Sequence, residues 1–343
     1  MNKNTPMVTV KSAYDALSAA GFPKSFVTRL LPDWWDNALF KTSTGAIEFA
    51  SILKQRLGLD VGFAENGELQ VLAPDSRARY KKRAATLESE LHVCSTLGVA
   101  MGKLALFCME QPAQHLPNDP LMLAKMVRAG SQTNDVSFEA LLDFCWHQGV
   151  PVLFLKDLPR GSKRITGMAL RIGGRPVIVL GYQSNQNAKQ LFVLAHELAH
   201  VCLGHVDSAG VLIDEGIDAI TESIEGTEDN QADAEEHEAD EFALTLLRNG
   251  HRHLPQTDQS PASPAELTME AVNRGRDLGI DPGHIILSYA RQHDDWLFGN
   301  QALGYLPNQK TALELIHDRF LKHCHVDRLS DDNRAYLLSM QGF

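Results

Sequence analysis

The sequence predicts an α+β protein in which a small sheet is flanked by N- and C-terminal helical regions. Three observations predict it. Helical periodicity punctuated by Gly and Pro runs from residue 12 to residue 148, broken near 62–75, and returns after residue 264. The strand-forming runs collect in the middle, at Pro151 to Leu155, Thr166 to Ile172 and Pro176 to Tyr182, the last two joined across Gly173 and Gly174 as a hairpin. Immediately after them stands Leu191 to Leu203, apolar on nearly every side of a helix and therefore buried rather than amphipathic.

Taken in order, residues 1–75 read as a small helical domain. Ser12 caps a helix to Ala20 that Gly21 stops, Pro23 opens a second to Leu31, and Gly45 to Leu57 forms a third before Gly58, with Trp34 and Trp35 pinning the core. A bundle of this size suits a helix-turn-helix-like module. Its charges nearly cancel, however, and no Arg/Lys-rich recognition helix stands out, so a docking or structural role is the expectation. Gly62 to Asp75 reads as a short hairpin or linker. Residues 76–135 form a helical packing region that starts with the basic stretch Ser76 to Arg83, read as the solvated start of a helix. Within it, Ala84 to Glu110 is helical, with Gly98 and Gly102 permitting close packing, and Leu121 to Ala129 follows. Residues 136–250 hold a helix capped by Ser137, the three strands and the buried helix. Residues 251–343 form a C-terminal helical region, with Ser260 to Pro264 as a hinge loop and helices at Ala265 to Leu278, Pro282 to Gln292, Thr311 to Cys324 and Ser330 to Met340; Trp296 and Phe298 cover the central domain.

With 343 residues and a formal net charge of −11, the chain has the composition of a globular protein and argues against a general nucleic-acid or membrane-surface binder. The start lacks the apolar core of a signal peptide, and no apolar run is read as long enough to span a bilayer, so the expected location is cytoplasmic. Five widely spaced cysteines in apolar surroundings read as buried thiols; Cys202, about 200° around the helix from His200, points away from any metal there.

The buried helix carries His196, Glu197 and His200 as HExxH. At about 100° per residue, both imidazoles reach one cation while Glu197 flanks the same face, the arrangement of a zinc peptidase core with a glutamate general base. Burying these groups would cost several kcal/mol without hydrogen bonds or a metal. Catalytic zinc takes a third protein ligand. His205 misses the metzincin spacing and reads as a helix-end residue. The helix Ala232 to Arg248 is the better donor: its apolar stripe of Ala239, Phe242, Ala243, Leu246 and Leu247, extended backwards, favours Glu238, with Glu235 as fallback, and leaves His237 and Glu241 on a wetter face. From Asp207 to Leu247 there is no Lys or Arg, and the acidic interval reads as a solvated surface. Pro176 to Leu180 is either an open edge for laying out a peptide or an internal strand; Tyr182, His205 and His284 are nominees for an oxyanion donor.

The ordered set of Gln148-Gly-Val-Pro-Val-Leu-Phe154, Ile165-Thr-Gly167, Pro176 to Leu180, Phe192 to His200 and Glu238-Ala-Asp-Glu-Phe-Ala243 resembles the ImmA/IrrE-type metallopeptidases over about Val136 to Gly250. The resemblance implies a zincin-like fold, one Zn²⁺ per chain on His196, His200 and Glu238, Glu197 as catalytic base, and cleavage of a cognate helix-turn-helix repressor in a stress, mobile-element or phage-defence circuit. An alternative role is a DNA-associated regulator or toxin–antitoxin component whose zinc domain serves in protein binding.

Overall fold

In the computed structural model, residues 9–64, 68–72, 78–81, 88–184, 186–206, 211–214, 231–254, 261–307 and 310–343 are described. In the acidic interval, residues 207–210 and 215–230 lie outside them. The N-terminal helices are α1 (Val10–Ala19), α2 (Lys24–Leu30) and α3 (Ser43–Leu57). The cap of α1 is Thr9, not Ser12: the extended Thr9 accepts from Ser12 N, so the helix begins three residues earlier than expected. Gly21 and Gly58, at φ 90° and 68°, end α1 and α3 in left-handed conformations that a side chain would strain. Trp35 packs on Phe40 and Phe49, whereas Trp34 is 52% exposed and adds little to the core.

The hairpin expected near Gly62 is β1 (Val61–Phe63) with β2 (Leu69–Val71). The basic stretch is not a helix start. Ala78–Lys81 is β3, which lies parallel to β7 (Val211–Asp214). With β4 (Val152–Phe154), β5 (Gly167–Ile172) and β6 (Arg175–Leu180) these form a five-stranded sheet in the order β3-β7-β5-β6-β4. β6 therefore lies between β5 and β4 and offers no open edge, which removes the strand-addition reading for Pro176 to Leu180.

Helix α4 (Glu88–Cys108) lies on this sheet. Its stretch Leu91–Cys108 is long and apolar enough to cross a bilayer, contrary to expectation, but 78% of it is buried inside the protein. Gly98 and Gly102 make the approach possible: a Cβ at Gly98 would sit 2.6 Å from Met168 Sδ, and one at Gly102 2.8 Å from Ile172 Cδ1. Helices α5 (Pro120–Gly130) and α6 (Phe138–His147), capped by Asp119 and Ser137, lead into β4. The central helix α7 (Asn187–Leu203) follows β6 and packs on β5, β6, α6 and α8 (Gln231–Leu247).

The C-terminal region supplies α9 (Pro264–Leu278), α10 (Pro282–Gln292), α11 (Trp296–Leu303), α12 (Ala312–His323) and α13 (Asp331–Gln341), with side-chain caps from Ser263, Asp281, Asp295, Thr311 and Ser330. One apolar core runs continuously from α1 through the sheet to α12 and α13; a second joins α9, α10 and α11 to Ala188 at the start of α7. Trp296 and Phe298 pack against this second core.

Candidate metal centre

Helix α7 is buried along nearly its whole length, with His200 and Glu197 at 0% exposure and His196 at 3%. The i, i+4 spacing puts the two imidazoles one turn apart, with ring centroids 4.7 Å apart and their Nε2 atoms 3.0 Å apart. The acidic group that meets them is Glu236. Its carboxylate oxygens lie 3.2 Å from His196 Nε2 and 3.4 Å from His200 Nε2, and among the described residues His196, His200 and Glu236 form the buried cluster able to hold one metal ion.

The expected third ligand, Glu238, is elsewhere. Its side chain is 63% exposed, and Oε2 lies 3.2 Å from His205 Nε2. Helical arithmetic explains the correction. At about 100° per residue, the apolar stripe centres close to Ala239; Glu236 falls roughly 50° from that centre and Glu238 roughly 110° away on the other side. The sequence thus carried a signal for Glu236 that the choice of Glu238 overlooked. His237 and Glu241 do occupy a wetter face, at 43% and 67% exposure.

Two further residues complete the centre. His196 Nδ1 lies 2.8 Å from Asp240 Oδ1, and His200 Nδ1 lies 3.0 Å from His205 Nδ1. The contacts outside the Glu236 cluster fit one tautomer set: His196 donates Nδ1–H to Asp240, His200 donates Nδ1–H to His205, and His205 donates Nε2–H to Glu238. Both Nε2 lone pairs then face the Glu236 carboxylate, as metal-binding imidazoles require. His205 is the helix-end residue expected, just past the Gly204 cap with its N–H on the His200 carbonyl, and its ring stands behind His200.

Burial pushes the Glu236 carboxyl up, but the hydrogen bonds that His196 and His200 donate when protonated at Nε2, and their charge in that form, outweigh it and hold the group well below the usual carboxylate range. Burial pushes His200 down, with the Glu236 hydrogen bond opposing. The donors are thus an anionic carboxylate and two imidazoles, of which burial favours His200 in the neutral form, a set that fits zinc.

Glu197 is seated against β5. A Cβ at Gly167 would stand 2.8 Å from Glu197 Cγ, so only a glycine in this central strand leaves room for the carboxylate. His284, another nominee, is on α10, where its Nε2 accepts from Arg248 Nε at 3.4 Å. Tyr182 follows β6, its backbone N–H bound to Thr166 O, and burial raises its hydroxyl pKa. All five cysteines are free thiols, and burial pushes Cys202 up to about 12.

An α+β core in which a buried HExxH helix meets a carboxylate from a following helix defines the class as a metallopeptidase domain. Residues 145–263, about a third of the chain, match the family described as IrrE N-terminal-like domain, Peptidase_M78, which supports the resemblance to ImmA/IrrE-type metallopeptidases over that region. No curated protein and no solved structure matches the chain.

Proposed function

We propose that the protein is a zinc-dependent endopeptidase of narrow specificity whose substrate is a helix-turn-helix transcriptional repressor. The observation that carries the peptidase reading is the convergence of His196, His200 and Glu236 beside Glu197 in a water-poor interior. The repressor substrate and its regulatory setting rest on the family resemblance.

In this reading His196, His200 and Glu236 hold the zinc, and Asp240 and His205 fix the imidazole tautomers. Bound there, zinc would supply Lewis acidity that polarises a peptide carbonyl and acidifies water. Glu197 accepts the proton from the attacking water at its carboxylate and returns it to the leaving amine. The β5 backbone at Gly167 fixes where that carboxylate stands. Because Glu197 and both histidines are sealed from bulk water, engaging a peptide requires the surface above them to shift.

The test is incubation of the purified protein with the repressor-like product of a neighbouring gene. Discrete fragments should form, vanish with a chelator and return with zinc. Glu197→Gln should keep zinc and lose about 10²–10⁴-fold in rate; a zinc-loaded, fully active Glu197→Gln protein would overturn the assignment of the base.

A further inference from the structure

Glu197 and the two histidines on its helix are buried, so a peptide reaches them only if an element of the fold gives way. The strand that seats Glu197 shows which one. Gly167, at the start of β5, lies so close to Glu197 that a Cβ there would stand 2.9 Å from Cδ. Both edges of β5 are taken. On one side β6 pairs along six residues and is tied back by the turn at Gly173 and Gly174. On the other, β7 pairs antiparallel along four: Val211 with Leu170, Leu212 with Ala169, Ile213 with Met168 and Asp214 with Gly167.

The faces of this ladder follow from the strand period of two. Met168 and Leu170 lie against Gly98 of α4, whereas Gly167 turns to Glu197, so Ala169 shares the α7 face. Leu212, directly opposite Ala169, is on that face too and is 4% exposed. β7 thus runs one strand spacing, about 5 Å, from the glycine against which the catalytic base is packed. The chain does not need β7 to join α7 to α8. Those helices pack on each other, and a connection of about two to eight residues suffices between such neighbours, yet residues 204–230 intervene.

We propose that β7 is a resident pseudosubstrate: it holds the edge of β5 on which an extended substrate must lie, and the substrate enters by exchanging with it, placing an apolar side chain where Leu212 stands. The proposal rests on the peptidase reading of the adjacent centre. Extended peptides are held by adding to a sheet edge, where main-chain hydrogen bonds give affinity and alternate side chains give specificity. A peptide entering in the orientation of β7 pairs with β5 on one side and with β3 on the other, so each ladder contact that β7 surrenders is restored. Its apolar residue lies two positions before the one opposite Gly167, which is the one beside Glu197. A slip of one residue would turn that side chain towards α4, so the place of Leu212 sets the register.

The experiment uses the full zinc-loaded chain carrying Glu197→Gln, so that bound peptide is not consumed, and a terminally blocked peptide with the sequence of residues 209–216. Leu170→Cys with Val211→Cys places two thiols opposite each other on the α4 face, away from the metal. Oxidised, the pair clamps β7 to β5, as a thiol count verifies; reduced, the same protein is its own control. Calorimetric titration should show the peptide binding about tenfold more weakly to the oxidised form than to the reduced one. Leu212→Ser, which weakens the resident strand, should tighten binding by about tenfold, and the same substitution in the peptide should weaken it as much, the size expected of one buried leucine. The clamp provides the reading if Leu212→Ser fails to fold. Equal affinity for the oxidised and reduced forms, or no binding to either at about millimolar peptide, would overturn the exchange. With Glu197 restored, cleavage of the repressor-like neighbour that oxidation blocks and reduction returns supports both readings. Cleavage indifferent to the clamp would sink the exchange alone; clamp-dependent peptide binding without any cleavage would sink the peptidase reading alone.

Discussion

At the scale of single residues, the site is decided by which acid on α8 faces α7. Glu236 is 5% exposed and lies within 3.4 Å of both Nε2 atoms, whereas the Glu238 side chain is 63% exposed and reaches only His205. Glu236→Gln should therefore release zinc during dialysis against a weak chelator. Asp240→Asn should cost about 10–100-fold in zinc affinity by loosening the His196 tautomer, and Glu238→Gln less than that. Metal content measured after dialysis ranks the three; zinc lost from Glu238→Gln and kept by Glu236→Gln would reverse the ligand assignment. Gly167 gives a second residue-scale prediction. Gly167→Ala pushes on the Glu197 carboxylate and should lower the cleavage rate by about 10²-fold with zinc content unchanged, since a displacement of about 1 Å is enough for a loss of that size. Full activity in that variant would show that the β5 backbone does not position the base.

At the scale of elements, the central helix is held on two sides by glycine-enabled contacts: β5 reaches Glu197 through Gly167, and α10 reaches Ala188 through Gly283. The second contact places a backbone-linked methyl, not a flexible side-chain end, in the way of a new Cβ. Gly283→Ala should destabilise the protein by about 1–3 kcal/mol, read from denaturant unfolding, because the neighbour cannot rotate aside. An unchanged midpoint would mean that α10 rides on α7 without close packing. The same scale shows how the sheet was under-read. β3 and β7 are four residues each, and the basic composition of Ala78–Lys81 gives no alternation that marks a strand. Their identity comes from pairing with each other, with β7 also lying against β5. The position of β6 inside the sheet is likewise a property of its neighbours on both sides.

At the scale of the whole molecule, buried imidazoles tie stability to acidity. His284 has its pKa pushed from about 6.5 to about 3 by burial and by Arg248, and is neutral in the fold. The unfolded chain takes up a proton on this residue as the pH drops below about 6.5, whereas the folded chain resists until about 3. Stability from this group is thus complete above the unfolded value and falls throughout that window, by about 1.4 kcal/mol per pH unit for one proton. His284→Gln should flatten the decline by that slope when unfolding free energy is followed from pH 6.5 to 4. A slope unaltered by the substitution would show that His284 titrates normally. His200, pushed down by burial, changes in the same direction, so zinc should remain bound to a lower pH than an ordinary imidazole would allow.

By itself the sequence determined the α+β class, the C-terminal helices with their Ser, Thr and Pro starts, the hairpin of β5 and β6, and the HExxH helix. Each is encoded locally, in periodicity, capping or a spacing of four residues. The pairing of β3 with β7, the Gly167 seat for Glu197 and the choice of Glu236 over Glu238 were decided only by tertiary structure. Those features depend on how far one element is rotated and how closely it approaches another, and an error of two residues on α8 turns a carboxylate by about 200°.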